Sequence, residues 1–309
     1  MIHTLAFWSA LGVLLSLAEL IVPEAGSRSR LDRGQLRTDA AWMAVYLVHA
    51  PLLGSVMATM VETVSAWTPA RAVVARLPFV GQVAMVVLIA ELVAYWVHRL
   101  QHTVPVLWRV HSVHHSSDAL RWWSAFRFHP LDTVVARGVP LLAVALCGST
   151  PPVVATYLVI VVVVTVFAHA DIGVPAPGLS RIVVVPAFHR SHHERGREST
   201  NFALVLPLCD VAFGTASFAV GARTFGSSGE VARQGVVNQL AWGIGLRSPR
   251  RARRDQRTIA QPRANEAMLA QPLIVSATAA GVARSASKAA SPIATDTSVI
   301  VRAATPPAR

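Results

Sequence analysis

Apolar runs of bilayer-spanning length give way to histidines in this chain, and that pairing restricts its possible folds more than any other feature. Residues 79–97 carry one charge, Glu91, and lead directly into His98 and His102. Four further apolar runs cover 5–22, 40–61, 131–147 and 152–168. A helix crosses a bilayer core in ~20 residues, so each run is long enough for a span or close to it. Residues 159–166 are mostly Val and Ile, which in water would suggest a strand; inside an apolar run of this length they predict a membrane helix. Hydrophobic residues make up 53% of the chain and charged residues 14%, which argues against an ordinary soluble enzyme. The expected fold is all-α: an integral membrane bundle of about four to five helices with a histidine-rich cap.

The loop after the first run holds Arg28, Arg30, Arg33 and Arg37. Excess arginine beside a span marks the cytoplasmic side. Following the chain from there, 67–78 becomes an external loop, and 131–147 with 152–168 becomes a hairpin. Every histidine from 98 to 193 then falls on the cytoplasmic face. Pro51 and Gly54 interrupt the second run. His49, alone within it, reads as a packed or hydrogen-bonded residue. Residues 108–130 are too polar to span and read as short helices and turns at the membrane surface.

Three regions are expected: membrane helices over 1–78, a catalytic domain over 79–220, and a basic, low-complexity tail over 221–309. The tail holds 13 Arg or Lys against 4 Asp or Glu, most of the net charge of +12. It has few aromatics and no nucleic-acid-binding pattern, so no nucleic-acid partner is expected. From Ser248 onward its composition predicts disorder.

Ten of the twelve histidines lie between 98 and 193. His98 and His102 are spaced i, i+4. His111, His114 and His115 form H-x-x-H-H, and His189, His192 and His193 repeat it. His129 and His169 stand between these groups. Residues three and four apart share a helix face, so each group could aim two or three imidazoles at one point. Neutral imidazole is the commonest ligand for Zn, Cu, Fe and Ni. One ion rarely takes more than four protein ligands, so ten histidines suggest two ions, or one ion with supporting groups. Cys147 and Cys209 form no C-x-x-C pair. The zinc-protease pattern H-E-x-x-H fails, because Arg197 stands where its second histidine would be. Two other readings remain: a histidine-rich membrane metal-binding or transport protein, for which ligands nearer the bilayer midplane would be expected, and bis-histidine haem binding.

The segments Tyr95-Trp96-x-His98-Arg99-Leu100-x-His102, His111-x-x-His114-His115, Arg127-x-His129-Pro130, His189-x-x-His192-His193 and Asp210-x-x-Phe213-Gly214-Thr215 together resemble the fatty acid hydroxylase / sterol desaturase superfamily. The resemblance covers about 79–218. It implies a non-haem di-iron oxidase of the membrane, acting on an acyl chain or sterol-like lipid with O2 and an external ferredoxin- or cytochrome-type electron donor. It implies two iron ions, a site that zinc would also fit, held by His98, His102, His111, His114, His115, His189, His192 and His193. His129 and His169 match extra histidines of the family and join this set as ligands or as partners of ligands. No catalytic residue beyond the metal ligands is implied. The expected location is a bacterial inner membrane, with the boxes facing the cytoplasm. Two positions depart from the family's pattern: Cys209, where members often have Trp, and Asp171, where many bacterial members have Asn. Asp171 would change the charge of the site if it reached the metals, or would orient His169. Asp118, Asp132 and Asp210 are candidates to accept hydrogen bonds from ligand histidines. Arg109, Arg121, Arg127 and Arg190 read equally well as solvated interfacial residues.

Overall fold

A computed structural model of the chain describes residues 2–24, 33–173, 178–218, 224–227, 231 and 235–246. The expected disorder beyond Ser248 lies outside the described residues. Helix α1 covers Ile2–Ile21, α2 Arg33–Trp67, α3 Ala70–Val74 and α4 Phe79–Thr103. After α5 (Pro105–His111), two 3-10 turns at His114–Ser116 and Trp122–Phe126 carry the chain to α6 (Pro130–Thr133). A π-helical turn, Val134–Gly138, joins α6 to α7 (Val139–Leu146), and α8 (Pro151–His169) returns. Helices α9 (Pro186–His192), α10 (Leu208–Ala212) and α11 (Val236–Gly243) complete the described elements. Among the described residues there is no β-strand, only an isolated bridge between Glu194 and Phe225. The fold is all-α, as expected.

Prolines set many of the helix starts. Pro105, Pro130, Pro151 and Pro186 each occupy the first turn of a helix. There the missing N–H costs nothing and the fixed φ favours the turn. The residue before proline is pushed to extended backbone, as at Val104 and Val185. Pro51 is different: it lies inside α2, which continues through it for 35 residues. Its effect is confined to one lost backbone bond, which membrane helices accommodate.

Among the described residues three helices, α2, α4 and α8, are long and apolar enough to cross a membrane. The first apolar run forms the shorter apolar helix Ala6–Ile21 within α1. The run over 131–147 is divided among α6, the π-helical turn and α7. The buried core between α4, α7 and α8 is apolar, with Val86, Ala90, Val144, Ala145, Val153 and Val161 almost fully enclosed. The outer faces are apolar too: Leu47, Leu52 and Val56 on α2 and Leu88 on α4 are exposed. Helices apolar on all sides suit lipid rather than water.

His49 is packed as the sequence suggested, its Nδ1 2.8 Å from the Val45 carbonyl and its Nε2 3.1 Å from Thr133 Oγ1. Packing continues beyond residue 221. In α11, Gln239 is fully buried and bonded to Trp42 of α2 and, at 2.8 Å, to the Val231 carbonyl. Tail composition hid this element because one eight-residue helix adds little periodicity to an Ala/Arg/Ser background.

Candidate metal centre

Two buried groups of histidines form where α4, the α5 region, α8 and α9 converge. The first comprises His98, His102, His111, His115 and His192; the second comprises His114, His169, His189 and His193. Within each group, one ring nitrogen per residue lies within 4.8 Å of all the others. The H-x-x-H-H spacing explains the sorting. In each box the i, i+4 pair stays together and the i+3 histidine crosses over. His111 and His115 go to the first group and His114 to the second; His189 and His193 go to the second and His192 to the first. The last turns of α4 and α8 add His98 with His102 and His169 respectively. The groups abut: the His115 and His193 rings stack at 4.2 Å.

Hydrogen bonds decide which nitrogens face inward. His98 Nδ1 donates to the Phe202 carbonyl at 2.7 Å, His169 Nδ1 to Thr165 at 2.8 Å, and His192 Nδ1 to Thr200 at 2.6 Å. His111 Nδ1 lies 3.1 Å from the Asp132 carboxylate, which also accepts from Gln101. A neutral imidazole has one N–H, so the Nε2 atoms of His98, His169 and His192 are left as acceptors. His98 Nε2 and His111 Nε2 face each other at 3.1 Å. In the second group, His169 Nε2 is 3.2 Å from His114 Nε2 and 3.3 Å from His189 Nε2, and His189 and His193 approach to 3.1 Å. His102 Nε2, both nitrogens of His115, and His192 Nε2 are buried without partners.

Buried polar atoms without partners call for an explanation, and a cation between the rings supplies one. Ligand nitrogens ~2.0–2.1 Å from a metal stand ~3.0–3.4 Å apart at ordinary coordination angles. The residues therefore fit metal ions. Their charge state fits as well. Burial first, then neighbouring imidazoles, hold the pKa values of His114, His115, His189 and His193 well below the usual histidine range. Burial takes His192 to about 3 against the opposing effect of its bond to Thr200. All five are neutral, ligand-competent imidazoles near neutral pH.

His129 belongs to neither group. Its Nδ1 accepts from the Leu131 N–H at 3.1 Å as the cap of α6, and its Nε2 reaches the Leu240 carbonyl at 3.3 Å. Both nitrogens are committed, and the expectation that His129 is a ligand does not match this placement. His169 stands directly in the second group.

The candidate aspartates divide. Asp132 contacts His111. Asp210 accepts from the backbone N–H groups of Phe202 and Ala203 at 2.9 and 2.8 Å, and so fixes the segment whose carbonyl receives His98. Asp118 is exposed beside Arg195. Asp171 does not orient His169 through a side-chain bond; its carboxylate meets Arg190 at 2.8 Å. The interfacial reading of the arginines is corrected for two of them. Arg190 is wholly buried and also pairs with Glu24 at 2.7 Å, and Arg127 is buried against Asp39. Their acidic partners are distant in sequence, so spacing carried no signal. Glu91 was also missed, although it is the sole charge in its span; its carboxylate takes the N–H groups of Leu204 and Val205 at 2.8 and 2.9 Å.

Comparison with known proteins bears on this geometry directly. Residues 83–215 match the fatty acid hydroxylase family. The chain is 30% identical over 140 residues to ornithine lipid hydroxylase of Rhizobium tropici, covering 45% of this chain and 42% of the relative. It is 33% identical over 104 residues to a Delta(7)-sterol 5(6)-desaturase of Gibberella zeae, 33% of this chain and 32% of that protein. It is 32% identical over 123 residues to human alkylglycerol monooxygenase, 39% and 27% of the two chains. The match thus spans less than half the length of each of these relatives. No solved structure matches the chain. Over residues 83–215, the stretch that contains all nine clustered histidines, this chain is similar to the fatty acid hydroxylase family.

Proposed function

We propose that this protein is an O2-dependent membrane oxidoreductase that hydroxylates or desaturates a lipid at a di-iron centre held by the two histidine groups. The observation that carries the reading is the convergence of nine histidines into two groups whose ring nitrogens lie within 4.8 Å of one another, several of them buried without a hydrogen-bond partner. The likeness to a lipid hydroxylase, a sterol desaturase and a monooxygenase supports lipid oxidation as the reaction class.

Two iron ions would supply the O2 activation and C–H oxidation that imidazoles alone lack. The chain's own residues do the rest. His98, His102, His111, His115 and His192 would hold one ion, and His114, His169, His189 and His193 the other. Asp132 fixes the orientation of the His111 ring, as a carboxylate behind a ligand histidine does. The carbonyls of Phe202, Thr165 and Thr200 fix the tautomers of His98, His169 and His192. The apolar packing of α4, α7 and α8 keeps water from the lipid-facing side of the groups. An external ferredoxin- or cytochrome-type protein would deliver electrons, with the histidine side facing the cytoplasm of a bacterial inner membrane.

Metal content and whole-cell lipid profiles of wild type and His114→Ala test this proposal together. The expected result is two irons per chain in wild type, and loss of iron with loss of one oxygenated or unsaturated lipid in the variant. A full zinc load and an unchanged lipid profile would overturn it in favour of metal binding or transport.

A further inference from the structure

Beside the histidine groups lies a small, partly open pocket lined by Val97, His98, His114, Phe128, Arg137 and Thr165, among others. A second small pocket, bordered by Tyr46, Phe126 and Val162, shares Phe128, Arg137 and Thr165 with the first. Arg137 stands at this junction, on the π-helical turn that divides an otherwise apolar run. Such turns widen a helix locally and recur at functional sites.

The polar groups at the junction are unspent. Arg137 Nη1 is buried with no hydrogen-bond partner, and so is Thr165 Oγ1. Among the described residues Arg137 forms no salt bridge; its guanidinium carbon lies over the face of Phe128, 5.9 Å from the ring centre. The acid on α4, Glu91, is occupied by the backbone of Leu204 and Val205. A cationic side chain in an apolar run is costly unless it meets an anion, and it marks a functional site by default. The histidine groups contain no carboxylate, so metal ions there would add positive charge that neutral ligands leave uncompensated.

We propose that Arg137 and Thr165 anchor an anionic oxygen group, a carboxylate or a phosphate, on the lipid substrate. This rests on the lipid-oxidase reading above and narrows its substrate class. Guanidinium and hydroxyl both donate to such an oxygen, and the guanidinium fork matches its geometry. The anchored charge sits between the two spaces. The carbon presented to the histidines is therefore close to the charged group rather than at the far end of an acyl chain.

The test uses full-length protein as purified, in neutral detergent, and three radiolabelled probes of equal chain length: palmitate, hexadecyl phosphate and hexadecanol. Wild type is expected to bind at least one anion about tenfold more tightly than the alcohol, and whichever anion is preferred identifies the source of the charge. Arg137→Gln should remove the preference and leave hexadecanol binding unchanged; Arg137→Lys should retain part of it. Equal binding of all three probes by wild type, or a preference that survives Arg137→Gln, overturns the anchor. Iron content and elution volume of each variant establish that it is folded. Because the readout is binding, absence of iron from wild type would sink the di-iron reading while leaving the anchor to stand or fall on the probes.

Discussion

His98 Nε2 and His111 Nε2 point at each other across 3.1 Å, while the Nδ1 atoms of the two rings are held by the Phe202 carbonyl and by Asp132. A metal ion taken up by both Nε2 atoms would bind only the folded state and so add stability by mass action. Chelator-stripped protein should melt several degrees below the iron-loaded form and recover when ferrous iron is returned. Differential scanning fluorimetry in detergent measures both steps. His98→Ala should shrink the difference, and an unaltered gap in that variant would count against His98 as a ligand.

Asp132 reaches the metal centre only through His111. Asp132→Asn keeps the volume but removes the charge that supports the His111 ring. Loss of such a partner typically costs 10–100-fold in metal affinity. Competition with a chromogenic chelator should show iron released from the variant at lower chelator concentration than from wild type.

Asp210 acts at one further remove. It takes the N–H groups of Phe202 and Ala203 and the Thr215 hydroxyl at 2.6 Å. Asp210→Asn sets an amide donor against one of these donors, a mismatch worth about 1–3 kcal/mol. Thermal unfolding should show that loss, and metal release should accompany it because the Phe202 carbonyl holds His98. Thr215→Ala, which removes one donor and creates no clash, should be milder.

Arg190 binds four groups: Glu24, Asp171, and the carbonyls of Leu120 and His169 at 3.0 and 3.3 Å. Removing one partner from a buried ion pair costs about 3–5 kcal/mol. Arg190→Met should therefore lower the melting temperature sharply even though the neighbouring His189 is untouched. Glu24→Gln, which keeps the shape and one acceptor, should fall between wild type and Arg190→Met. A near-normal melting temperature for Arg190→Met would mean that the buried ion pairs contribute little to holding α9.

The histidine sites were legible because their signal is local. The spacings i, i+3 and i+4 survive as geometry on short helices, so the boxes pointed to a common centre before any fold was known. His129 misled for the same reason. Its place beside Arg127 and Pro130 matches a box, yet its distant contact with Leu240 is what occupies its second nitrogen. The charged network was illegible because Glu24 and Arg190 are joined by tertiary packing across the whole catalytic segment. The run over 131–147 is divided by a π-helical turn that its apolar composition did not reveal. The packed helix α11 lay within a stretch whose average composition concealed it.

The crossing of one histidine from each H-x-x-H-H box into the opposite group has a consequence for how the centre fills. Neither group can be completed by a single box, since His192 must arrive with α9 to finish the first and His114 must be in position to finish the second. Docking that assembles one ion's ligands therefore assembles the other's. Titration with ferrous iron should pass from empty to doubly loaded chains with few singly loaded ones, which native mass spectrometry would resolve as two populations rather than three.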